Sequence, residues 1–310
     1  MCWEFSNAIS GISRHYRVNQ RGQVADCRTC SPRLSLPRIL ARVIRRDSDR
    51  RRFQVHPFLL APNGDRYAPC PGEAPMKRVA SIQSNYIPWK GYFDMIASVD
   101  EFIFYDHVQY TKKDWRNRNR IKTPQGLFWL TIPVGTDIRR RICDVLLPDA
   151  AWSPAHWKIL EVNYRRARFF DEISAWLAPL YLQNKHTHLS TTNRAFVEAI
   201  CAYLGIRTKL EWSYNYQIEG DRTESIVNLC VQAGATEYVV GPAARSYLDE
   251  AAFARRGIKV TWFDYTGYPP YLQLWGAFEH QVSVLDLLFN CGSSSARYMK
   301  HVRTQPVHPA

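Results

Sequence analysis

Three stretches of the chain place polar, aromatic and cationic side chains just after a predicted strand, where parallel sheets bind ligands. The first stretch, 83–93, combines amides, aromatic rings and a glycine with a predicted helix N-terminus, which favours anions. A packed turn with its rings in the core is the alternative interpretation. The candidate substrate-binding residues of this stretch are Gln83, Tyr86, Trp89, Lys90, Gly91 and Tyr92.

The second stretch, 106–120, alternates arginines with amides around a tryptophan. Guanidinium groups contact phosphates through two parallel hydrogen bonds, and the interleaved amides favour a specific pocket over a diffuse charged surface. Asp106 and His107 directly follow the predicted strand and are the candidate acid or base residues. The candidate substrate-binding residues here are Gln109, Trp115, Arg116, Asn117, Arg118 and Asn119.

The third stretch, 241–249, contributes Gly241 but has no glycine-rich phosphate fingerprint. An aromatic turn at 266–273 adds Gln273 as a further candidate substrate-binding residue. Ser283 and Asp286 resemble a helix capping box, which predicts that Asp286 is a cap rather than a catalyst. The chain has no nucleophile elbow, Walker loop or zinc-protease helix, so the sequence predicts no metal site and identifies no cofactor.

The elements that position these residues alternate between short apolar strands and amphipathic helices. Strands are predicted at 79–83, 102–105, 128–134, 143–147, 206–212, 238–241 and 258–264, with a loop at 111–122. Helices are predicted at 89–97, 153–166, 171–183, 191–204, 223–233, 247–256 and 281–290. This order predicts an α/β fold, with a mainly parallel Rossmann-like sheet, helices on both faces and an additional helical subdomain at about 152–205.

The charge of the chain is concentrated near its start. The 310 residues carry a net charge of +13, and residues 1–75 hold thirteen Arg, no Lys and six acidic residues. We interpret 1–75 as a disordered extension or the product of a misassigned start, with translation beginning at Met76. Residues 76–296 then form the α/β domain and 297–310 a flexible tail. The smaller remaining charge makes a nucleic-acid partner a weak interpretation, to be tested by salt dependence.

No apolar run approaches the roughly 20 residues of a membrane-spanning helix, so we expect no membrane span and a cytoplasmic protein. Several motifs occur in a fixed order over about 79–292. Their residues are Gln83, Tyr86, Pro88, Trp89, Gly91, Tyr92, Phe93, Asp106, Gln109, Tyr110, Trp115, Asn117, Arg118, Asn119, Tyr271, Gln273, Phe278, Ser283, Asp286, Asn290 and Gly292. In these motifs the chain resembles the WbqC-like family of bacterial proteins, and Ser84 and Ala244 depart from the family pattern.

The resemblance implies a place in O-antigen or other surface-polysaccharide biosynthesis and supplies no catalytic residues. Three functions follow as hypotheses. The first is a transferase acting on a nucleotide-activated sugar or another phosphorylated small molecule, and the second is a non-catalytic nucleotide-sugar or glycan binding protein. The third is a nucleotidyltransferase-like enzyme, although the two histidines usual in such a loop are missing from 88–92.

Overall fold

The computed structural model describes residues 76–149 and 151–302, together with the backbone of three short strands nearer the start. These strands are β1 (Glu4–Ile9), β2 (Ile12–Val18) and β3 (Val24–Asp26), paired as one antiparallel sheet. No periodicity in the sequence indicated them. The other residues of 1–75 and the tail from 303 lie outside the described residues, and the start at Met76 stays a prediction.

The larger unit is built on seven strands and seven α-helices within the described residues. The strands are β4 (Arg78–Ile82), β5 (Glu101–Phe104), β6 (Arg118–Thr123), β7 (Gly126–Thr131), β8 (Lys209–Trp212), β9 (Glu237–Val240) and β10 (Lys259–Trp262). The helices are α1 (Lys90–Ala97), α2 (Trp152–Tyr164), α3 (Phe170–Leu182), α4 (Leu189–Leu204), α5 (Arg222–Gln232), α6 (Glu250–Ala254) and α7 (Val284–Cys291).

Five of these strands form one parallel sheet in the order β10-β9-β4-β5-β8. In chain order this reads 3-2-1-4-5 from one edge, which is the order of the first five strands in the doubly wound dinucleotide-binding fold. The switch point of such a sheet lies between its first and fourth strands, here β4 and β9. The predicted α/β class and Rossmann-like sheet are therefore confirmed.

Helices cover both faces of the sheet because alternate strand residues point to opposite sides. Ala80 and Phe102 face a core shared with α1, α4 and α7. Val79, Ile103 and Tyr238 face a second core formed with α5 and α6. The near-continuous apolar runs of β5 and β9 are what burial on both faces requires.

Helices α2, α3 and α4 lie in the segment predicted as a helical subdomain and share the first core. Helix α2 begins one residue and α4 two residues before the predicted starts. The Ser153 hydroxyl donates to the carbonyl of Tyr181 at 2.7 Å, and His188 precedes the first turn of α4. Gly205 ends α4 as predicted, with a φ of 70° that a glycine accommodates without strain.

Two sequence expectations are wrong. Much of the predicted loop at 111–122 is strand β6, which pairs antiparallel with β7. The residues of β6 are mostly polar, so the sequence shows no apolar strand pattern there. In the structure Asn119 is buried beside the apolar Ile121. The predicted strand at 143–147 is a short 3₁₀ turn, Ile142–Asp144, whose first amides bond to the carbonyls of Val108 and Asp106.

No helix in the described parts of the chain is long and apolar enough to cross a bilayer.

The carboxylate of Asp94 on α1 anchors two distant segments to the sheet domain. It is fully buried and accepts from the Tyr268 hydroxyl at 2.9 Å. It also accepts from the amides of Lys300 and His301 at 2.8 and 2.6 Å, and it lies 3.0 Å from the His301 imidazole. One side chain thus holds both the loop after β10 and the end of the described chain.

We predict that Asp94→Ala lowers the free energy of unfolding by at least about 3 kcal/mol, because it leaves several buried donors without an acceptor. Tyr268→Phe removes one of these hydrogen bonds and should cost about 1–2 kcal/mol. Urea unfolding of both variants provides the measurement. Equal losses in the two variants would contradict the anchoring role of Asp94.

Candidate functional site

The turn between β4 and α1 has a strained backbone that is fixed from outside. Ile87 has a φ of 37°, which is unusual for a β-branched residue, and it is completely buried. The side-chain amide of Asn119 on β6 donates to the carbonyls of Tyr86 and Ile87 at 3.1 and 3.0 Å. The carbonyl of Pro88 accepts from the amide of Val284 at 2.9 Å. The surrounding chain therefore fixes the start of α1.

Trp89 lies flat against the first turn of α1 because Gly91 has no side chain there. A Cβ atom on Gly91 would lie 2.3 Å from the Trp89 indole. The indole also contacts the rings of Tyr265 and Tyr268, with centroids 5.3 and 5.8 Å away. Gly91 thus acts through Trp89 by leaving room for its indole, and a substrate-binding role for the two residues stays a prediction.

A cleft of about 620 Å³ opens at this turn, between loops that follow β4 and β10. Amide and aromatic side chains dominate its walls. The lining residues are Asn85, Pro88, Trp89, Trp115, Asn119, Tyr265, Thr266, Gly267, Tyr268, His280 and Gln281. The cleft thus lies outside the carboxyl ends of parallel strands, beside the N-terminus of an eight-residue helix.

Lys90 is buried behind this wall, with only 3% of its surface exposed. Its ammonium group lies 5.2 Å from the ring centroids of both Tyr268 and Tyr271 and donates to the carbonyl of Pro269 at 3.1 Å. Burial lowers the pKa of Lys90 to about 8. The ammonium is therefore a partly desolvated cation held by aromatic faces.

The candidate arginines take up separate positions. Arg116 is held by the Asn85 and Gln83 side-chain oxygens, the latter at 3.2 Å. Arg118 stacks on Trp129 at 4.2 Å and donates to the carbonyl of Lys113. Only Arg116 thus contacts a residue of the cleft wall, through Asn85. A phosphate contact by either arginine stays a prediction.

Asp106 and His107 do not line the cleft. The Asp106 carboxylate is completely buried, accepts from the Ser84 amide at 2.7 Å and accepts from the Ser190 hydroxyl. Burial raises the pKa of Asp106. His107 packs on Tyr105 and lies 2.9 Å from the Ser213 hydroxyl, and burial lowers its pKa. Their acid or base role stays a prediction, while the two hydrogen bonds of Asp106 link the loop after β4 to α4.

Several other candidates are bonded within the chain. Asn117 bridges Tyr110 and the Ile132 carbonyl, and the Tyr86 hydroxyl meets His156 and Tyr181 at 2.8 Å each. Asn117 and Tyr86 therefore hold the frame of the site, and neither residue lies on the cleft wall.

The remaining candidates also lie apart from the cleft wall. The Tyr92 hydroxyl donates to the Gln83 carbonyl at 3.1 Å, and Gln109 donates to the Ile138 carbonyl at 2.9 Å. Gly241 packs against the Tyr265 ring. Gln273 accepts from the buried Lys122 at 2.9 Å and donates to the Tyr271 hydroxyl at 3.1 Å. These contacts fix the loops around the cleft.

Asp286 belongs to the same buried network and is not the reciprocal partner of a capping box. Its carboxylate accepts from the hydroxyls of Tyr164 and Tyr271 at 2.8 Å each, and burial raises its pKa. The cap of α7 is Ser283, whose hydroxyl accepts from the Leu285 amide at 3.3 Å.

Three cleft residues lie outside every stretch that the sequence singled out: Tyr265, His280 and Gln281. Tyr265 adjoins the aromatic turn that the sequence did identify. His280 is exposed at the cleft, and burial followed by the nearby Lys90 charge lowers its pKa. A single histidine in a loop forms no sequence motif that would indicate a binding site. In the described residues, no group of three or more His, Cys, Asp or Glu side chains could hold a metal ion.

We predict that Gly91→Ala lowers the free energy of unfolding by about 1–3 kcal/mol, because the new methyl group displaces Trp89. The same change inside a helix ordinarily stabilises by about 0.5–1 kcal/mol, so the expected sign is reversed. Gly241→Ala is the control, since its Cβ would lie 3.5 Å from the Tyr265 ring, an ordinary contact. A stabilised Gly91→Ala variant in urea unfolding would contradict the packing role.

We also predict that Asp106 makes stability fall as the pH rises. Because burial raises the pKa of Asp106 above its unfolded value, its ionisation lowers the free energy of unfolding as pH passes through that raised pKa. Asp106→Asn has no such ionisation. The stability of the variant relative to the unsubstituted protein should therefore improve from about pH 4 to about pH 7 in urea unfolding. A constant or worsening difference would show that the carboxylate is not penalised by burial.

The comparison with known proteins covers the residues that line the cleft. The model of the WbqC-like protein family matches residues 83–298. Uncharacterized protein Rv1507c of Mycobacterium tuberculosis (strain ATCC 25618 / H37Rv) is 57% identical over 230 residues, which cover 74% of this chain and 100% of the relative. No solved structure matches the chain. The matched range includes the strained turn, the hairpin and the cleft, and the chain belongs to the WbqC-like protein family.

Proposed function

We propose that the chain is a transferase that binds a nucleotide-activated sugar in the cleft beside α1. The observation that carries this proposal is the cleft itself, where four aromatic residues and three amides surround a helix N-terminus at the carboxyl ends of parallel strands. Association of the family with surface-polysaccharide synthesis, which the resemblance implies, favours this class of substrate.

The lining residues suit the separate parts of such a ligand. The faces of Trp89, Trp115 and Tyr265 suit a base or the apolar face of a sugar. The amides of Asn85 and Gln281 suit hydroxyl groups, because an amide both donates and accepts hydrogen bonds. The amides at the start of α1 have no side-chain cap and suit a phosphate.

His280 is the residue that we propose for proton transfer. It lies on the cleft wall, whereas Asp106 and His107 do not. Its lowered pKa leaves the imidazole neutral near pH 7, so one ring nitrogen can accept a proton from an attacking hydroxyl or amine. As the acceptor oxygen or nitrogen bonds to the sugar carbon, the bond from that carbon to the phosphate oxygen breaks, and the nucleotide leaves with the negative charge on its phosphate.

A non-catalytic binding protein is the second candidate, favoured by the internal bonding of Asp106 and the absence of a carboxylate from the cleft wall. His280→Gln separates the two functions. A transferase variant keeps its ligand affinity and loses turnover, whereas a binding protein shows no turnover in either form.

We predict that nucleotide sugars raise the melting temperature of the full chain and that Trp115→Ala weakens their binding by about tenfold or more, as expected for loss of one stacking face. Calorimetric titration with the best ligand from a thermal-shift screen is the measurement. Tyr214→Ala removes an aromatic ring that is 50% exposed but lies outside the cleft, and it should leave affinity unchanged. Equal affinity in the Trp115 and Tyr214 variants would overturn the proposed location.

A further inference from the structure

The β6–β7 hairpin exposes large apolar side chains that nothing in the proposed function uses. Leu127, Phe128 and Trp129 are consecutive in β7, and their exposed fractions are 42%, 45% and 38%. Scattered single apolar residues are normal on a protein surface, but a contiguous group indicates an interaction site. Trp115 is 38% exposed and lies beside Trp129, with ring centroids 5.4 Å apart, so it extends the group.

Two cations flank this group without a carboxylate partner. The guanidinium of Arg118 lies 4.2 Å from the Trp129 ring centroid, and that of Arg120 lies 5.6 Å from the same centroid. Their side-chain hydrogen bonds go to the Lys113 carbonyl and to Gln281, both uncharged acceptors. In the described part of the chain, neither arginine forms an ion pair. The positive charge of the hairpin is therefore available to an anionic partner.

The shape of the hairpin end distinguishes between possible partners. Successive strand residues point to opposite faces, so Leu127 and Trp129 are exposed on one face and Phe128 on the other. A platform for stacked nucleic-acid bases needs one flat aromatic face, and an exposed leucine does not stack with a base. An edge that is apolar on both faces and flanked by arginines instead has the form of an inserting wedge.

We propose that this hairpin docks the protein on the surface of an anionic lipid bilayer. The side chains of Leu127, Phe128 and Trp129 would enter the boundary between headgroups and acyl chains, while Arg118 and Arg120 contact the headgroup phosphates. Trp115 and Asn119 belong to the cleft wall, so docking would place the cleft next to the bilayer surface. The proposal concerns attachment to a surface and involves no spanning segment.

Vesicle flotation of the full chain tests the proposal, with vesicles of phosphatidylcholine alone and of phosphatidylcholine mixed with phosphatidylserine. We expect binding to the mixed vesicles that weakens at high salt. The double variant Leu127→Ser/Phe128→Ser should lose about tenfold or more of this binding, because the buried apolar area supplies much of the affinity. Arg118→Gln/Arg120→Gln should lose the preference for the anionic vesicles.

Leu182→Ser is the matched control, since Leu182 is 56% exposed at the end of α3, outside the hairpin. Its vesicle binding should equal that of the unsubstituted chain, and the melting curves of the leucine and phenylalanine variants should agree because Leu127, Phe128 and Leu182 are exposed. No vesicle binding, or equal binding by the double variant, overturns the proposal. The proposal is also overturned if the Leu127→Ser/Phe128→Ser variant loses self-association or binding to single-stranded RNA while its vesicle binding is unchanged.

Discussion

The cleft depends on a backbone turn whose shape the chain would not adopt alone. A buried isoleucine with positive φ costs of order 1–3 kcal/mol and persists only where neighbouring groups fix it. Here the carbonyls of the two peptides that flank Ile87, those of Tyr86 and Ile87, accept from Asn119, and the next carbonyl, that of Pro88, accepts from Val284. One amide on a hairpin and the start of α7 therefore determine where α1 begins.

The same arrangement explains why the site needs amides where the sequence suggested ligand contacts. Buried backbone carbonyls require donors, and a neutral amide supplies them without the desolvation cost of a buried charge. Asn117 donates to the Ile132 carbonyl, and Gln273 donates to the Glu279 carbonyl at 2.9 Å. Most of the motif residues that carry the family resemblance thus build the frame. The ring faces and His280 form the surface that a ligand would meet.

The sheet was predictable from the sequence because its strands are apolar and its helices are amphipathic. The unit from β4 through α1 to β5 shows that pattern clearly. Strand β6 was not predictable because Asn119 and Lys122 are polar residues that the fold buries. Periodicity treats them as exposed, and only tertiary partners such as Tyr86 and Gln273 satisfy them. The reverse error occurs at 143–147, where the sequence pattern predicts a strand. The hydrogen bonds of 142–145 make a tight turn there instead.

One wall of the cleft was predicted from the sequence, whereas the opposite wall was predicted only at 266–268, for a related reason. The residues after β4 and within 115–119 were identifiable because they follow a strand and combine rings with amides. The opposite wall comes from the loop after β10 and the segment before α7, which are distant in sequence. Asp94 fixes the first of these segments through Tyr268, and Arg120 meets the second through Gln281 at 2.8 Å. Asp94 lies on α1 and Arg120 lies on the hairpin, so the elements beside the first wall also hold the opposite wall in place. A ligand would therefore bind to a site that is already formed.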